Sequence, residues 1–271
     1  MSEHDVTARV RYLVPGEAKP VYWASRPGSD AAMNIAAEFE ERDVLVQDAR
    51  LASPAPVLDR QGFELRAHNS AVADFYAVPE SAGKYENELI ELVQAVTGAE
   101  EALVFDHTLR SDSPRVRGER TTREPAAVIH NDYTDVSAEK RLRDLLPEAE
   151  AARRLANRFA IVNVWRSIAA PAINSPLALC DASTLAPADL VASERRAAER
   201  IGELELVTYN PAHRWLYYPG VTRDEAVLIK TFDSARDGRA RRAVHTAFDN
   251  PAAPPEAPPR ESIESRLLVF F

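Results

Sequence analysis

Short runs of β-branched and aromatic residues recur along the chain from about residue 100 onward, and each run is bounded by Pro, Gly, Asn or Asp. Eight or nine strands over roughly 170 residues are typical of a sandwich or barrel rather than of a parallel sheet. The runs that predict strands are Ala102–His107, Ala126–His130, Phe159–Trp165, Pro176–Cys180, Leu204–Tyr209, Trp215–Tyr218, Ala226–Phe232, Val244–Phe248 and Ile263–Phe271. The pattern therefore predicts a mainly β fold.

Helical periodicity is confined to three segments. Lys84–Thr97 carries its apolar residues on one face, and Gly98 follows as a candidate C-cap. Ser137–Asn157 has a thin leucine stripe that Pro147 is expected to divide into two helices. A third short helix is predicted over Ala188–Arg200. The last two segments lie between predicted strands, so we expect helical insertions over about residues 137–158 and 186–200.

The N-terminal region, about residues 1–80, is predicted to be irregular, with strand-like pieces only at Ala8–Val14 and Val44–Gln47. No linker forces a domain boundary, so residues 1–271 are predicted to form a single domain whose β core spans about residues 100–271. Two long loops are expected. His107–Glu124 is basic and polar, and Pro251–Pro259 contains five prolines in nine residues.

Composition narrows the class of protein. Hydrophobic residues make up 45% and charged residues 28%, which is ordinary for a globular chain. The 42 acidic and 33 basic residues give a net charge of −9, which argues against nucleic acid or a membrane as the main partner but permits a local basic pocket. The one cysteine, Cys180, excludes an intrachain disulfide and predicts a reducing, cytoplasmic setting with the thiol in the core. No apolar signal segment or membrane span is recognisable, and the glycine spacing excludes nucleotide-binding loops.

One short motif could carry metal chemistry. The strand predicted to end at His130 leads into Asn131 and Asp132, and residues two apart on a strand face the same way. An imidazole, a carboxylate and a second, distant histidine would form the facial triad of non-haem iron oxygenases. A His-x-Asp tripeptide is expected about 0.4 times by chance in this composition, so a simple hydrogen-bonded pair is the alternative.

The second histidine has two main candidates. His245 lies in the predicted strand Val244–Phe248 and is favoured. His213 follows Pro211 in a loop, where a hydrogen bond to the backbone is the structural alternative to metal binding.

A possible carboxylate clamp enters the last predicted strand. Arg260 and Ser262 share a face, and a guanidinium with a hydroxyl can bind a carboxylate through charge-assisted hydrogen bonds. Arg266 is an alternative clamp on that face. The structural alternative for Arg260 is a surface ion pair with Glu261 or Glu264.

The order of these motifs resembles the Fe(II)/2-oxoglutarate-dependent dioxygenases, and in detail the gibberellin-desaturase-like group that includes the cephalosporin 7α-hydroxylase component. The resemblance runs over most of the chain from about residue 60. The stretches that carry it are Val104–Arg110, Val128–Thr134, Asn163–Ile168, Pro176–Asp181, His213–Pro219, Lys230–Ser234, His245–Pro251 and Arg260–Arg266.

This resemblance implies a jelly-roll (double-stranded β-helix, cupin-like) core in which His130, Asp132 and His245 hold Fe(II). It also implies that 2-oxoglutarate chelates the iron, with its far carboxylate on Arg260 and Ser262. The enzyme would then use O₂ to hydroxylate, desaturate or cyclise a small molecule of secondary metabolism, releasing succinate and CO₂.

Substrate contacts are expected from Arg110, Asn131, Tyr217 and Phe248. The loop His107–Glu124, with its five arginines, could form a lid that attracts carboxylates, or could be an ordinary solvated loop. Two other classes stay open: a cupin-type metalloenzyme that needs no 2-oxoglutarate, and a non-catalytic β-sandwich binding protein. A homodimer is also left open.

Overall fold

Strands dominate the computed structural model, which describes residues 2–24, 34–78, 83–120, 122–197 and 200–271. The strands of this described part are β1 (Val6–Leu13), β2 (Val21–Trp23), β3 (Asn34–Ala36), β4 (Phe39–Asp48), β5 (Phe63–Ala67), β6 (Glu101–Ser111), β7 (His130–Asn131), β8 (Phe159–Ser167), β9 (Leu177–Cys180), β10 (Leu190–Ala197), β11 (Arg200–Val207), β12 (Trp215–Tyr217), β13 (Glu225–Asp233), β14 (His245–Ala247) and β15 (Glu261–Phe270). The nine predicted strand regions are all represented, and the mainly β prediction is confirmed.

Four α-helices accompany these strands: α1 (Gly83–Thr97), α2 (Pro114–Arg120), α3 (Asp135–Leu145) and α4 (Glu148–Leu155). Gly98 follows α1 with a φ of +70°, as its C-cap role predicts. Thr134 begins α3 by accepting a hydrogen bond from the Ser137 backbone, and Pro147 separates α3 from α4. The two helices predicted within Ser137–Asn157 are therefore confirmed.

Two sheets organise the strands. The smaller sheet is antiparallel, with the order β5-β13-β8-β15-β6. The larger sheet has the order β1-β4-β12-β9-β14-β7-β11-β10-β2-β3, and its pairs β12–β4 and β10–β2 are parallel. Trp165 and Val227 of the smaller sheet pack against Leu179 and Leu216 of the larger one, so an apolar core joins the two layers.

Helices cover the smaller sheet. Leu89 and Val93 of α1 pack on one face, against side chains that include Val162 and Leu267. Leu142 of α3 and its neighbours from α4 pack with residues from the ends of β8, β13 and β15. Among the described residues no helix is long and apolar enough to cross a membrane.

The inward face of β15 is polar although it is buried. Ser262, Glu264 and Arg266 alternate with Ile263 and Ser265, and Ile263 belongs to the apolar cluster that packs with α1. Asn163 of β8 pairs directly with Arg266 and is fully buried. This patch of polar groups inside the fold requires internal partners, and it forms one wall of the site described below.

The described part of residues 1–80 is not irregular, contrary to the sequence-based expectation, and residues 1, 25–33, 79 and 80 of that region lie outside the described part. The described residues of the region contain β1 to β5, and β1 pairs with β4 over eight residues. The pieces Ala8–Val14 and Val44–Gln47 overlap these two strands. β2, β3 and β5 were missed. β2 and β3 have only three residues each, which are too few to show a period.

The helix predicted over Ala188–Arg200 is wrong. Leu190–Ala197 forms β10, which pairs with β11 on one edge and with β2 on the other. Its Ala, Glu and Arg residues favour helix by only a few tenths of a kcal/mol each, and sheet pairing on both edges outweighs that preference. Residues 198 and 199 lie outside the described part.

Two further boundaries differ from prediction. The strand expected over Ala126–His130 is reduced to β7. Pro125 has no backbone donor, and Ala126 and Ile129 each form a single backbone hydrogen bond, to Ala247 and to Arg11, instead of a continuous series along one neighbouring strand. His107–Glu124 is not a loop throughout. β6 continues to Ser111 along β15, and α2 follows it. Residues 251–259 form neither helix nor strand, as their prolines predict.

Candidate functional site

Three side chains that could hold a metal converge beside the polar wall. One ligand atom from each of His130, Asp132 and His245 lies within 4.8 Å of the others. Pairing of β7 with β14 places the two histidines directly opposite each other, with ring centroids 4.5 Å apart. Asp132 follows β7, and its Oδ1 lies 3.5 Å from His130 Nε2. The three donors therefore meet although 113 residues separate Asp132 from His245 along the chain.

Hydrogen bonds orient both imidazoles in the same way. His130 Nδ1 lies 2.8 Å from the Val128 carbonyl, and His245 Nδ1 lies 2.9 Å from the Ala243 carbonyl. A carbonyl only accepts, so each Nδ1 carries the proton and each Nε2 keeps a free lone pair. Burial, and then the neighbouring His130 ring, lower the pKa of His245, which favours the neutral form that binds metals.

The carboxylate is oriented from its other oxygen. Asp132 Oδ2 accepts hydrogen bonds from Arg266 Nε at 2.9 Å and from Asn163 Nδ2 at 2.8 Å, which leaves Oδ1 directed toward His130. Burial would raise the pKa of Asp132, but Arg266 and then His130 outweigh it and hold the pKa well below its usual range. Asp132 is therefore ionised, and its Oδ1 remains available as a candidate metal ligand.

Arg266 is committed to acids and does not serve as a free carboxylate clamp. Besides Asp132, its guanidinium donates to Asp106 at 2.8 Å and to Glu264 at 2.9 Å. Glu264 also accepts from Asn163 at 2.7 Å. Arg266 therefore does not act as the carboxylate clamp considered from the sequence, and instead it positions the Asp132 carboxylate.

Arg260, in contrast, is a buried cation that forms no ion pair with any acid of the described residues. It is 2% exposed, its Nε donates to Ser262 Oγ at 3.1 Å, and its Nη1 donates to the Ser175 carbonyl at 2.7 Å. Within the described ranges no carboxylate lies within 4.0 Å of its guanidinium, so the surface ion pair with Glu261 or Glu264 does not form. Burial, and then the charge of Arg110, lower the pKa of Arg260 to about 9. A bound anion would relieve this cost.

His213 lies elsewhere and has both ring nitrogens engaged. Its Nε2 donates to Asp189 at 3.0 Å, and its Nδ1 accepts from the Tyr12 hydroxyl at 3.1 Å. Trp215 Nε1 donates to the same hydroxyl at 2.8 Å. This internal chain of hydrogen bonds explains His213 structurally and favours His245 as the second histidine.

A cavity of about 460 Å³ opens onto the candidate metal ligands. His130, Asp132 and Arg266 line one part of it, and β6, β11 and α3 contribute other walls. Its volume falls within the usual range of roughly 300–1,000 Å³ for small-molecule sites. The Asp132 carboxylate and the His130 imidazole are therefore reachable by a small ligand, whereas His245 lies behind them and does not line the cavity.

Of the four predicted substrate residues, only Arg110 lines this cavity. Asn131 is buried on the other side of β7, where it donates to Glu205 and to the Tyr133 carbonyl. Tyr217 donates to the His4 carbonyl and packs edge-on against Phe248 in the core. The expectation that these three line the pocket is corrected, because parity along a strand does not reveal which face meets the cavity.

Two residues with site functions were missed by sequence analysis. Asn163 and Glu264 are the polar partners that connect Asp132 and Arg266. The available signal was a polar residue inside an otherwise apolar strand, as at Asn163 in Phe159–Trp165. Cys180 is a buried core residue, as predicted, and burial raises its pKa to about 12.

Comparisons with known proteins agree with this geometry. The family described as "Oxidoreductase/YMDC permease-like domain" matches residues 10–270. The chain is 32% identical over 256 residues to the hydroxylase/desaturase efuI of Hormonema carpetanum, covering 86% of this chain and 85% of that protein. It is 34% identical over 197 residues to the Fe(II)/2-oxoglutarate-dependent dioxygenase nvfI of Aspergillus novofumigatus, covering 69% and 66%.

A solved structure extends the likeness to the fold. The iron and alpha-ketoglutarate-dependent endoperoxidase NvfI superposes with a TM-score of 0.84 at 27% identity, covering 99% of both chains. The two-sheet arrangement described above is accordingly the jelly roll of these oxygenases.

Proposed function

The chain belongs to the family of Fe(II)/2-oxoglutarate-dependent oxygenases, and from that premise we propose that His130, Asp132 and His245 hold its iron. The observation that carries this proposal is the preset orientation of all three donors. Two Nδ1 atoms are held by carbonyls and Asp132 Oδ2 by two donors, so three lone-pair atoms converge. Two imidazoles and one carboxylate fit a non-haem Fe(II) site with open positions.

Arg260 and Ser262 bind the far carboxylate of 2-oxoglutarate in this proposal. Supporting it are the buried, acid-free guanidinium of Arg260 and the hydroxyl that its Nε already orients. An anionic partner would balance a charge that burial otherwise penalises. Trp165 lies 5.0 Å below the guanidinium and fixes its plane.

When bound, iron with 2-oxoglutarate and O₂ supplies an oxidising equivalent and releases succinate and CO₂. The protein's own residues have other tasks. Arg266 and Asn163 keep Asp132 ionised and singly available, and the buried strands around the triad exclude water from the reacting atoms. The substrate of the proposed reaction is a small molecule in the 460 Å³ cavity, and hydroxylation, desaturation or ring formation is the outcome. We also propose that these elements act as one domain in the cytoplasm.

An anaerobic titration tests the iron and 2-oxoglutarate assignments together. Addition of Fe(II) and then 2-oxoglutarate is expected to produce the visible metal-to-keto-acid charge-transfer band. His245→Ala should abolish the band, and His213→Ala, the matched control, should retain it in folded protein. Retention of the band in His245→Ala would refute the ligand set. Metal binding without any effect of 2-oxoglutarate would favour a cupin-type metalloenzyme instead.

A further inference from the structure

Two arginines are fixed side by side at one end of the cavity. Arg110 and Arg123 form a parallel β-bridge. The Arg123 backbone donates to the Leu109 carbonyl at 3.0 Å, and the Ser111 backbone donates to the Arg123 carbonyl at 2.8 Å. Both side chains line the cavity and are half-buried. Main-chain bonds therefore hold two like charges together.

Neither of these charges is balanced by an acid. Within the described parts of the chain, no carboxylate lies within 4.0 Å of the guanidinium of Arg110 or of Arg123. Arg110 donates instead to the Glu124 carbonyl at 2.7 Å. Burial, and then the charges of Arg110 and Arg195, lower the pKa of Arg123. Arg195, from β10, also lines the cavity and adds a third cation beside Tyr22.

The acids that line the same cavity are engaged elsewhere. Their partners are Lys140 for Asp144, Lys19 for Glu203, and Arg266 for Asp106 and Asp132. Among the described residues, the acids at the candidate metal ligands are therefore compensated, and Arg110 and Arg123 give the other end of the cavity a positive charge. Such a positive end in a partly desolvated site attracts and orients an anion.

We propose that Arg110 and Arg123 bind a carboxylate of the substrate, so that the enzyme acts on an apolar carboxylic acid. This inference rests on the proposed function. The apolar walls formed by Val128 and Leu206 suit a hydrocarbon body between the two ends.

The strand register sets a length for that substrate. Arg110 lies four residues along β6 from Asp106, which contacts Arg266 beside the metal carboxylate. Four residues of strand span roughly 13 Å. The carboxylate of the substrate and the carbon that is oxidised are therefore separated by a distance on that scale, roughly 13 Å or less.

The far carboxylate of 2-oxoglutarate is a second carboxylate that these arginines could bind, because Arg110 lies close enough to Arg260 to lower its pKa. The two sources separate in binding measurements. Biphenyl-4-carboxylate and 2-naphthoate, each with its methyl ester, serve as probes in calorimetry on protein loaded with Ni(II) and 2-oxoglutarate. Each acid is expected to bind at least about tenfold more tightly than its ester.

The variants Arg110→Gln and Arg123→Gln should reduce this preference to within about threefold, and Arg123→Lys should keep part of it because the charge remains. Arg115→Gln is the matched control, since Arg115 is exposed on α2 and pairs with Glu119. The affinity for 2-oxoglutarate should be unchanged in all four variants, and thermal unfolding confirms that each is folded.

Three outcomes overturn the proposal: acid and ester bind equally to the unchanged protein, neither binds, or the glutamine variants keep the preference. A loss of 2-oxoglutarate affinity in Arg123→Gln with the probe preference intact would assign the cluster to 2-oxoglutarate. Failure of the proposed function is distinguishable, because it shows as absence of Ni(II) or 2-oxoglutarate binding in the unchanged protein. The probe titration is repeated without metal and 2-oxoglutarate for that reason.

Discussion

Replacement of Asn163 by leucine tests whether the polar wall orients Asp132, the proposed iron ligand. Asn163 is fully buried, and leucine has the same branched arrangement of side-chain heavy atoms, so Asn163→Leu removes the donor while keeping the shape at a moderate increase in volume. Asp132 Oδ2 then loses one of its two donors, at 2.8 Å, and keeps Arg266 at 2.9 Å. Loss of an outer partner typically weakens metal binding by about 10–100-fold. We expect the lower part of that range because Arg266 remains.

Anaerobic calorimetry with Co(II) measures this change directly, without turnover. A factor of about ten corresponds to roughly 1.4 kcal/mol in binding free energy. Asn157→Leu is the matched control, since Asn157 is exposed and its side chain donates to the Arg153 carbonyl, far from the candidate metal ligands. Unfolding in urea reports the stability of both variants. Unchanged Co(II) affinity in folded Asn163→Leu protein would show that Asp132 needs no partner on its second oxygen.

Three further predictions concern other parts of the molecule. Arg260→Gln should weaken 2-oxoglutarate binding to the Ni(II) form by at least about 2 kcal/mol, with Arg260→Lys intermediate, and equal affinity would remove Arg260 from the clamp. Leu142→Ala, in the fully buried stripe of α3, should lower the free energy of unfolding by about 2–5 kcal/mol, against about 0.5 or less for the exposed Val136→Ala. Burial lowers the pKa of His213 below its unfolded value of 6.5, so the free energy of unfolding should fall as the pH drops below about 6.5. His213→Gln should flatten that slope in urea melts at about pH 7.5 and about pH 5.5, and an unchanged slope would contradict the assignment.

The candidate site could be predicted from sequence where chemistry is confined to a motif. The two imidazoles and the carboxylate of a metal site could be proposed from His130, Asp132 and His245. The shared face of Arg260 and Ser262 followed because successive side chains of a strand point to opposite faces. The structure brings the first three together and buries the last two beside each other.

Prediction failed where tertiary pairing decides the outcome. The helix-favouring composition of Ala188–Arg200 gave no sign that β2, more than 160 residues earlier, would pair with it. Tyr217 and Phe248 could not be placed because a strand with two buried faces has no polar side to orient it. The role of Arg266 could not be predicted for another reason. Of its three acidic partners, Glu264 is a near neighbour, but Asp106 and Asp132 lie far away along the chain.

The row of side chains that begins at Arg260 and runs along the inner face of β15 has a consequence for how such an enzyme can diversify. Ser262, proposed to bind the co-substrate, and Arg266, which holds the carboxylate of the proposed metal ligand, lie on the same face of β15. A single inserted residue ahead of β15 would turn them all outward at once. Arg110 and Arg123 lie on separate segments, so substrate preference can drift by local change there without disturbing the reaction itself.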